Sequence, residues 1–289
     1  MSRKITYTIN PDNGGLKIFT FLKSKNGYST KLIRTLKTRE NGIVLNGKKA
    51  KTVDILNAGD ILDIEIPDGK NEIEPSDIDI DVIYEDEDLL VVNKSPYLAM
   101  HPTHNHQGDT LANAVASHLE KQGKYGTFHA VGRLDKGTSG ISVCALNALA
   151  ACKLSGKIKK EYIALVKGRL CGEGTVDVPI YRPDPMKTLR ACSYEEGTEP
   201  AVTHWSVIEN YENSTLIRLN LETGRTHQIR VHMAYTGHPL AGDKFYGDFL
   251  PEAGHQLLHC AKAEFLHPVT GEQMILSAPL PDEFSIFAG

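Results

Sequence analysis

From about residue 88 to the end, apolar and polar positions alternate in short runs with a period near two, and the runs are broken by glycine and by polar turn residues. Residues 89–93, 141–146, 162–166, 202–208 and 216–221 read as strands. Two stretches follow a helical period instead, 110–120 and 226–235, the second stopping near Gly237. This pattern predicts an α+β domain built on a mixed, largely antiparallel sheet with flanking helices. The first 66 residues are organised differently. Residues 16–22 and 30–39 read as two short helices separated by Asn26-Gly27, with Ser29 or Thr30 placed to cap the second. In that second helix Leu32, Ile33 and Leu36 form an apolar stripe, while Lys31, Arg34 and Lys37 recur every three residues on another face. Residues 43–45 read as a strand, Asn46-Gly47 as a two-residue hairpin turn, and 61–66 as a second strand. The expected organisation is therefore a small α/β module at 1–66, a linker at 67–87 and a large domain at 88–289.

Charge sharpens this division. The net charge of −4 conceals +9 over residues 1–56, −12 over 57–88 and −1 over the remainder. A basic block of that size predicts an anionic partner, nucleic acid before membrane surface. The acidic stretch, poor in large apolar residues until Val82, reads as an exposed linker kept off the same partner by its charge. No run of eighteen apolar residues is present, and MSRKITYTIN carries no apolar signal core, so the expected protein is soluble and cytoplasmic. The five cysteines form no CxxC pair and are odd in number, which fits free thiols in a reducing compartment.

Candidate chemistry concentrates in Val131 to Gly140, VGRLDKGTSG. Asp135 sits in a glycine-rich turn between Arg133 and Lys136, and nearby cations favour its ionised form. Taken alone, the same residues also suit a solvated turn aspartate. The wider chain separates the two readings, because this stretch resembles the RLDxxTSG signature of the RluA-type pseudouridine synthases. Four further segments match that family in its order: LVVNKSPYLAMHP from Leu90, KEYIALV from Lys160, TGRTHQIRVHMAYTGHPLAGDKFYG from Thr223, and LHCAKAEFLHPVTGEQMILSAPLPDEF from Leu258. Two departures stand out. Gly132 replaces the family's usual histidine, and Lys94-Ser95-Pro96-Tyr97 replaces Lys-Pro-x-Gly.

The resemblance implies an RNA pseudouridine synthase with a long curved sheet, a cleft across its middle and no cofactor. It implies Asp135 as the catalytic nucleophile, Arg225 as its ion-pair partner, and Tyr162 stacked on or hydrogen-bonded to the target ring. Arg133 would fill the gap left by a flipped base or contact a phosphate, Lys94 would buttress the cleft, and Leu258 would lie beneath the base. The order of elements in 1–66 resembles the RNA-binding module first seen in ribosomal protein S-four, with Lys31, Arg34 and Lys37 free for phosphates. That module favours 23S rRNA as substrate over tRNA, and a monomer is expected.

Other chemistries fit less well. A serine hydrolase elbow needs GxSxG, and Gly137-Thr138-Ser139-Gly140-Ile141 has the wrong spacing. His101, His104 and His106 lie in a loop without a matching cysteine or carboxylate set, and His227 and His232 are five apart, so no metal is expected. The remaining rival is an RNA-binding or ribosome-assembly factor with the same fold and no turnover, against which the joint presence of Asp135, Arg225 and Tyr162 argues.

Overall fold

The computed structural model describes residues 3–67, 73–103, 106–124, 126–247 and 252–286. Near the N-terminus, β1 (Arg3–Thr8), β2 (Ile43–Leu45), β3 (Lys48–Lys49) and β4 (Ile61–Ile66) form an antiparallel sheet in the order β1-β4-β2-β3. Asn46 and Gly47 both take positive φ (50° and 76°), as the tight two-residue turn between β2 and β3 demands. Helix α1 (Ile18–Thr20) runs into a wider π turn over Phe21–Lys25, so the first helix starts later than its sequence suggests. Helix α2 (Thr30–Thr38) is capped by Ser29, whose hydroxyl accepts from the Leu32 amide at 3.1 Å. Its apolar stripe closes on the sheet, burying Leu32, Ile33 and Leu36 together with Leu22, Leu62 and Ile64. Strand β1 was not expected from the pattern. RKITYT is polar at its ends, and its strand character comes from pairing along the whole of β4.

The large unit is a ten-stranded sheet whose main path runs β10-β13-β14-β9-β15-β8-β6-β5. Its strands are β5 (Asp81–Glu85), β6 (Leu89–Lys94), β7 (His129–Val131), β8 (Ser139–Ala145), β9 (Lys159–Lys167), β10 (Glu173–Asp177), β13 (Val202–Asn210), β14 (Ser214–Leu221), β15 (Leu258–Leu266) and β16 (Gln273–Ser277). β7 pairs with β8 and β16 with β15 off that path, and β11 (Ile180–Tyr181) and β12 (Ala191–Cys192) form a separate two-stranded ribbon. Among the described pairings between these strands only β15 with β8 is parallel. All seven residues of β8 are buried, which explains its run of small and β-branched residues. Around it α3 (Leu111–Lys121) contributes Leu111, Val115 and Leu119 to the main core, and α5 (Gln228–Tyr235) contributes Ile229 and Met233. Helices α4 (Ala148–Leu154) and α6 (Glu283–Ile286) complete the unit.

Of the acidic linker expected at 67–87, residues 68–72 lie outside the described residues, and the part from Ile73 onward packs on the large unit. The linker's second half supplies edge strand β5, antiparallel to β6, and Ile73 and Ile80 pack against the main core. Apolar residues at 73, 78, 80, 82 and 83 lie between the acids and give this stretch something to bury. The small module is docked, not dangling. Arg3 on β1 donates from Nε and Nη2 to the buried Asp88 carboxylate at 3.1 and 2.9 Å, and Asn147 donates to the same carboxylate at 2.8 Å. Asn147 also caps α4 through its side-chain oxygen, and Leu149 two residues further on joins the module's core with no exposed surface. Removing water from an ion pair costs less where a carboxylate keeps several donors, and Asp88 keeps three. No helix among the described residues is long and apolar enough to cross a membrane.

Candidate active site

The turn ahead of β8 is held from three sides. Gly137 donates its amide to the Pro96 carbonyl at 2.8 Å, and the Gln256 amide group donates to the Lys136 carbonyl and the Thr138 hydroxyl, each at 3.1 Å. At Gly140 (φ 99°) a Cβ would stand 2.2 Å from the backbone oxygen of Cys260, so β8 can approach β15 this closely only with glycine there. These constraints present the Asp135 side chain, about 30% exposed, to a cleft of about 780 Å³.

Across the cleft, Tyr162 on β9 lies in register with Cys260 on β15, and Leu258 lies in register with Ala164. Residues two apart on a strand share a face, so Tyr162 and Leu258 line the same wall, both nearly buried. Burial pushes the Tyr162 phenol well above its ordinary range, with Cys260 and Asp135 acting in the same direction. The ring therefore stays neutral and its hydroxyl remains a hydrogen-bond donor.

Helix α5 supplies the positive charge. Gln228 and His232, one turn apart, tie one face of the helix to β13. Gln228 donates to Val202 O at 2.9 Å and to the Thr203 hydroxyl at 3.1 Å, and His232 Nδ1 lies 2.9 Å from that hydroxyl. Arg230, halfway between them in sequence, consequently points the opposite way. Its Nε and Nη2 donate to the two oxygens of Asp243 at 2.7 Å each, and its Nη1 lies 3.8 Å from Asp135 Oδ2. Arg230 and Asp243 are both buried, and the guanidinium carbon sits 5.3 Å from the ring centres of Phe245 and Tyr246. Asp243 Oδ1 also accepts from the Phe245 amide at 2.9 Å, so the turn carrying the aromatic rings is built on the carboxylate that fixes the arginine.

Comparison with known proteins decides what this arrangement belongs to. A family model described as RNA pseudouridylate synthase matches residues 88–235. The chain is 39% identical over 267 residues to an uncharacterised RNA pseudouridine synthase, YjbO, of Bacillus subtilis, covering 90% of this chain and 94% of that one. The chain belongs to the RNA pseudouridine synthase family. It is also 40% identical to ribosomal large subunit pseudouridine synthase D of Haemophilus influenzae over 240 residues, which covers 76% of this chain and 73% of the relative. Among solved structures it resembles human RNA pseudouridylate synthase domain containing 1, with a TM-score of 0.59 and 26% identity over 75% of this chain and 90% of that one. This synthase is an isomerase acting on RNA, and its mixed, largely antiparallel sheet is the fold of those relatives.

Within the synthase, the cleft brings together Asp135, Tyr162, Leu258, Arg133 and Arg225. The expected ion pair between Arg225 and Asp135 is not formed. Arg225 precedes α5, donates from Nε to the Pro200 carbonyl at 3.1 Å and pairs loosely with Glu199 at 3.6 Å, and Arg230 takes the place beside Asp135. Lys94 lies outside the cleft lining. It is buried, donates to Ser95 O at 2.8 Å and Leu98 O at 2.9 Å, and lines a separate cavity of about 280 Å³. Its reach into the site is indirect, since the segment it holds includes Pro96, whose carbonyl accepts from Gly137. Lys31, Arg34 and Lys37 are all exposed or half-exposed on the small module and make no ion pair among the described residues.

Sequence reasoning passed over Arg230, Asp243 and Tyr246, and weighed His227 only as a metal ligand. His227 is a non-glycine residue in the left-handed region (φ 58°), its Nδ1 2.9 Å from the Tyr246 hydroxyl, and burial lowers its pKa. Of the three loop histidines, His101 packs edge-on to Phe128, His106 pairs with Asp109, and His104 falls outside the described residues. A different trio, Asp86, Asp88 and His267, does converge within 4.8 Å, with Arg3, Asn147 and Tyr84 donating to its carboxylates.

Proposed function

We propose that this synthase isomerises specific uridines of 23S rRNA, with Asp135 as the nucleophile. The reaction detaches uracil from its ribose, turns it and rejoins it through a ring carbon. Nothing is oxidised and no water is added, so the conversion itself calls for no cofactor. It needs a nucleophile in a water-poor pocket and a way of holding an extruded base. The observation that carries the reading is the Arg230–Asp135 contact at the cleft wall opposite Tyr162 and Leu258. A guanidinium already locked to Asp243 presents fixed positive charge to the reacting carboxylate and needs no reorganisation during the step. Tyr162 meets the target ring from one side and Leu258 gives it an apolar seat. Arg133, exposed at the rim, is placed either to occupy the vacated stack or to touch a flanking phosphate.

The choice of 23S rRNA rests on the large-subunit synthase named among the relatives and on the basic module, which we read as an RNA-binding domain of the ribosomal S-four type. Incubation with 23S rRNA tritiated at carbon 5 of uracil, chelator present, should release tritium, and sequencing should place the product at one or a few uridines. Release from tRNA alone would overturn the rRNA assignment, and no release from either would overturn Asp135 as an active nucleophile.

A further inference from the structure

Segment 153–158 joins two places that are far apart in sequence. Its first residue, Lys153, lies in the last turn of α4 and against the small module, where a Cβ on Gly27 would meet Lys153 Cγ at 3.3 Å. Its later residues Leu154, Gly156 and Ile158 line the catalytic cleft. Six residues therefore span from the module to the site. Lys157 within them is exposed and makes no ion pair among the described residues. It follows Lys153 by four residues and carries the same charge. On the far side of Gly27 begin α2 and its Lys31, Arg34 and Lys37 face.

We infer that the module, α4 and the turn after it form one continuous phosphate-binding surface, and that the RNA whose uridine enters the cleft runs along it. This rests on the reading of the cleft as the uridine site. Two observations favour an RNA strand over a separate ligand for each part. Lys31, Arg34, Lys37 and Lys157 make no ion pair among the described residues, whereas the chain's excess acid is gathered at 57–88. The module is also fixed, because Arg3 and Asn147 meet on the buried Asp88 carboxylate and Leu149 is seated in the module's core. A fixed module gives flanking phosphates a set distance from the flipped base and acts as a ruler for the target, a property a tethered head would lack.

The test uses the full-length protein and hairpin RNAs bearing the target uridine, with the stem lengthened stepwise. Binding is measured against salt for the wild type, Lys157→Gln, the triple variant Lys31→Gln/Arg34→Gln/Lys37→Gln, and all four changes together. Each lost contact should flatten the log–log salt slope by about 0.7 to 0.9, equivalent to roughly threefold less sensitivity over a fourfold change in salt. The Lys157→Gln deficit should appear at a shorter stem than the triple variant's, and the two should add on the longest stem. A silent Lys157→Gln, or a triple-variant deficit that does not depend on stem length, would overturn the continuous surface. If binding behaves as expected while no variant, wild type included, releases tritium, the reading of the cleft fails and the surface stands.

Discussion

Two arginines of one short segment compete for the role beside Asp135, and exchanging each for lysine separates them. Arg230 makes three contacts with two carboxylates, a bidentate pair to Asp243 at 2.7 Å and a longer one to Asp135 at 3.8 Å. A lysine ammonium is a point charge that cannot fork, so Arg230→Lys keeps one carboxylate and releases the other. Breaking a buried pair outright costs about 3–5 kcal/mol. With the charge retained we expect about 1.4–2.7 kcal/mol of that to fall on the transition state, or a tenfold to hundredfold loss of kcat with KM changing less than threefold. Arg225 faces a mostly exposed Glu199 at 3.6 Å, an arrangement worth about 0–1 kcal/mol. Arg225→Lys should stay within about fivefold of the wild type. The assay is single-turnover tritium release at saturating RNA, with circular dichroism confirming the fold. Asp135→Asn/Arg230→Lys should be no slower than Asp135→Asn alone, since both changes act through one contact. A silent Arg230→Lys, or a larger loss from Arg225→Lys, would refute the assignment of Arg230 as the partner.

Three further outcomes follow from the same geometry. Asp135→Asn, nearly isosteric, should abolish turnover while RNA affinity falls less than about tenfold, or roughly 1.4 kcal/mol; retained turnover in tritium release would exclude Asp135 as nucleophile. Gly140→Ala would push a methyl group to 2.2 Å from the Cys260 carbonyl at φ 99°, so thermal unfolding should show a loss of at least about 3 kcal/mol, and a variant of normal stability would mean β8 and β15 are not so closely apposed. Burial holds the Lys94 amine down to about 7 from an ordinary 10.5. Between those values the unfolded chain keeps a proton that the folded chain has released, so stability rises with pH across that window, by up to about 1.4 kcal/mol per unit. Lys94→Met lacks this rise, and the stability gap between wild type and variant in urea unfolding should widen from pH 7 to 10; a constant gap would refute the burial of a neutral amine.

How far the sequence could be read depended on whether a residue's partner lay close by along the chain. Strands β6, β8, β9, β13 and β14 of the large sheet, α2, α3 and the Asn46-Gly47 turn were legible because their signals are local: a period of two or 3.6, a capping serine or threonine, a dipeptide that tolerates positive φ. β1 and β5 were not, because RKITYT and DVIYE owe their strand character to β4 and β6, the latter preceded by acids that read as solvated. The candidate site divides along the same line. Asp135, Tyr162 and Leu258 carry motif residues on strands or in a turn, where the side-chain direction follows from the motif itself. The arginine could not be chosen this way, since TGRTHQIR offers two, and only the tertiary packing of α5 selects between them. Gln228 and His232 bind β13, which turns Arg230 toward the cleft, and Asp243, thirteen residues on in an unremarkable LAGDKFYG turn, completes the choice by being buried. A buried aspartate needs a cation with more than one donor to offer, and of the two arginines only the one inside the helix can reach it. The positive charge beside Asp135 is thus set by a contact between two segments whose separate patterns give no sign that they meet.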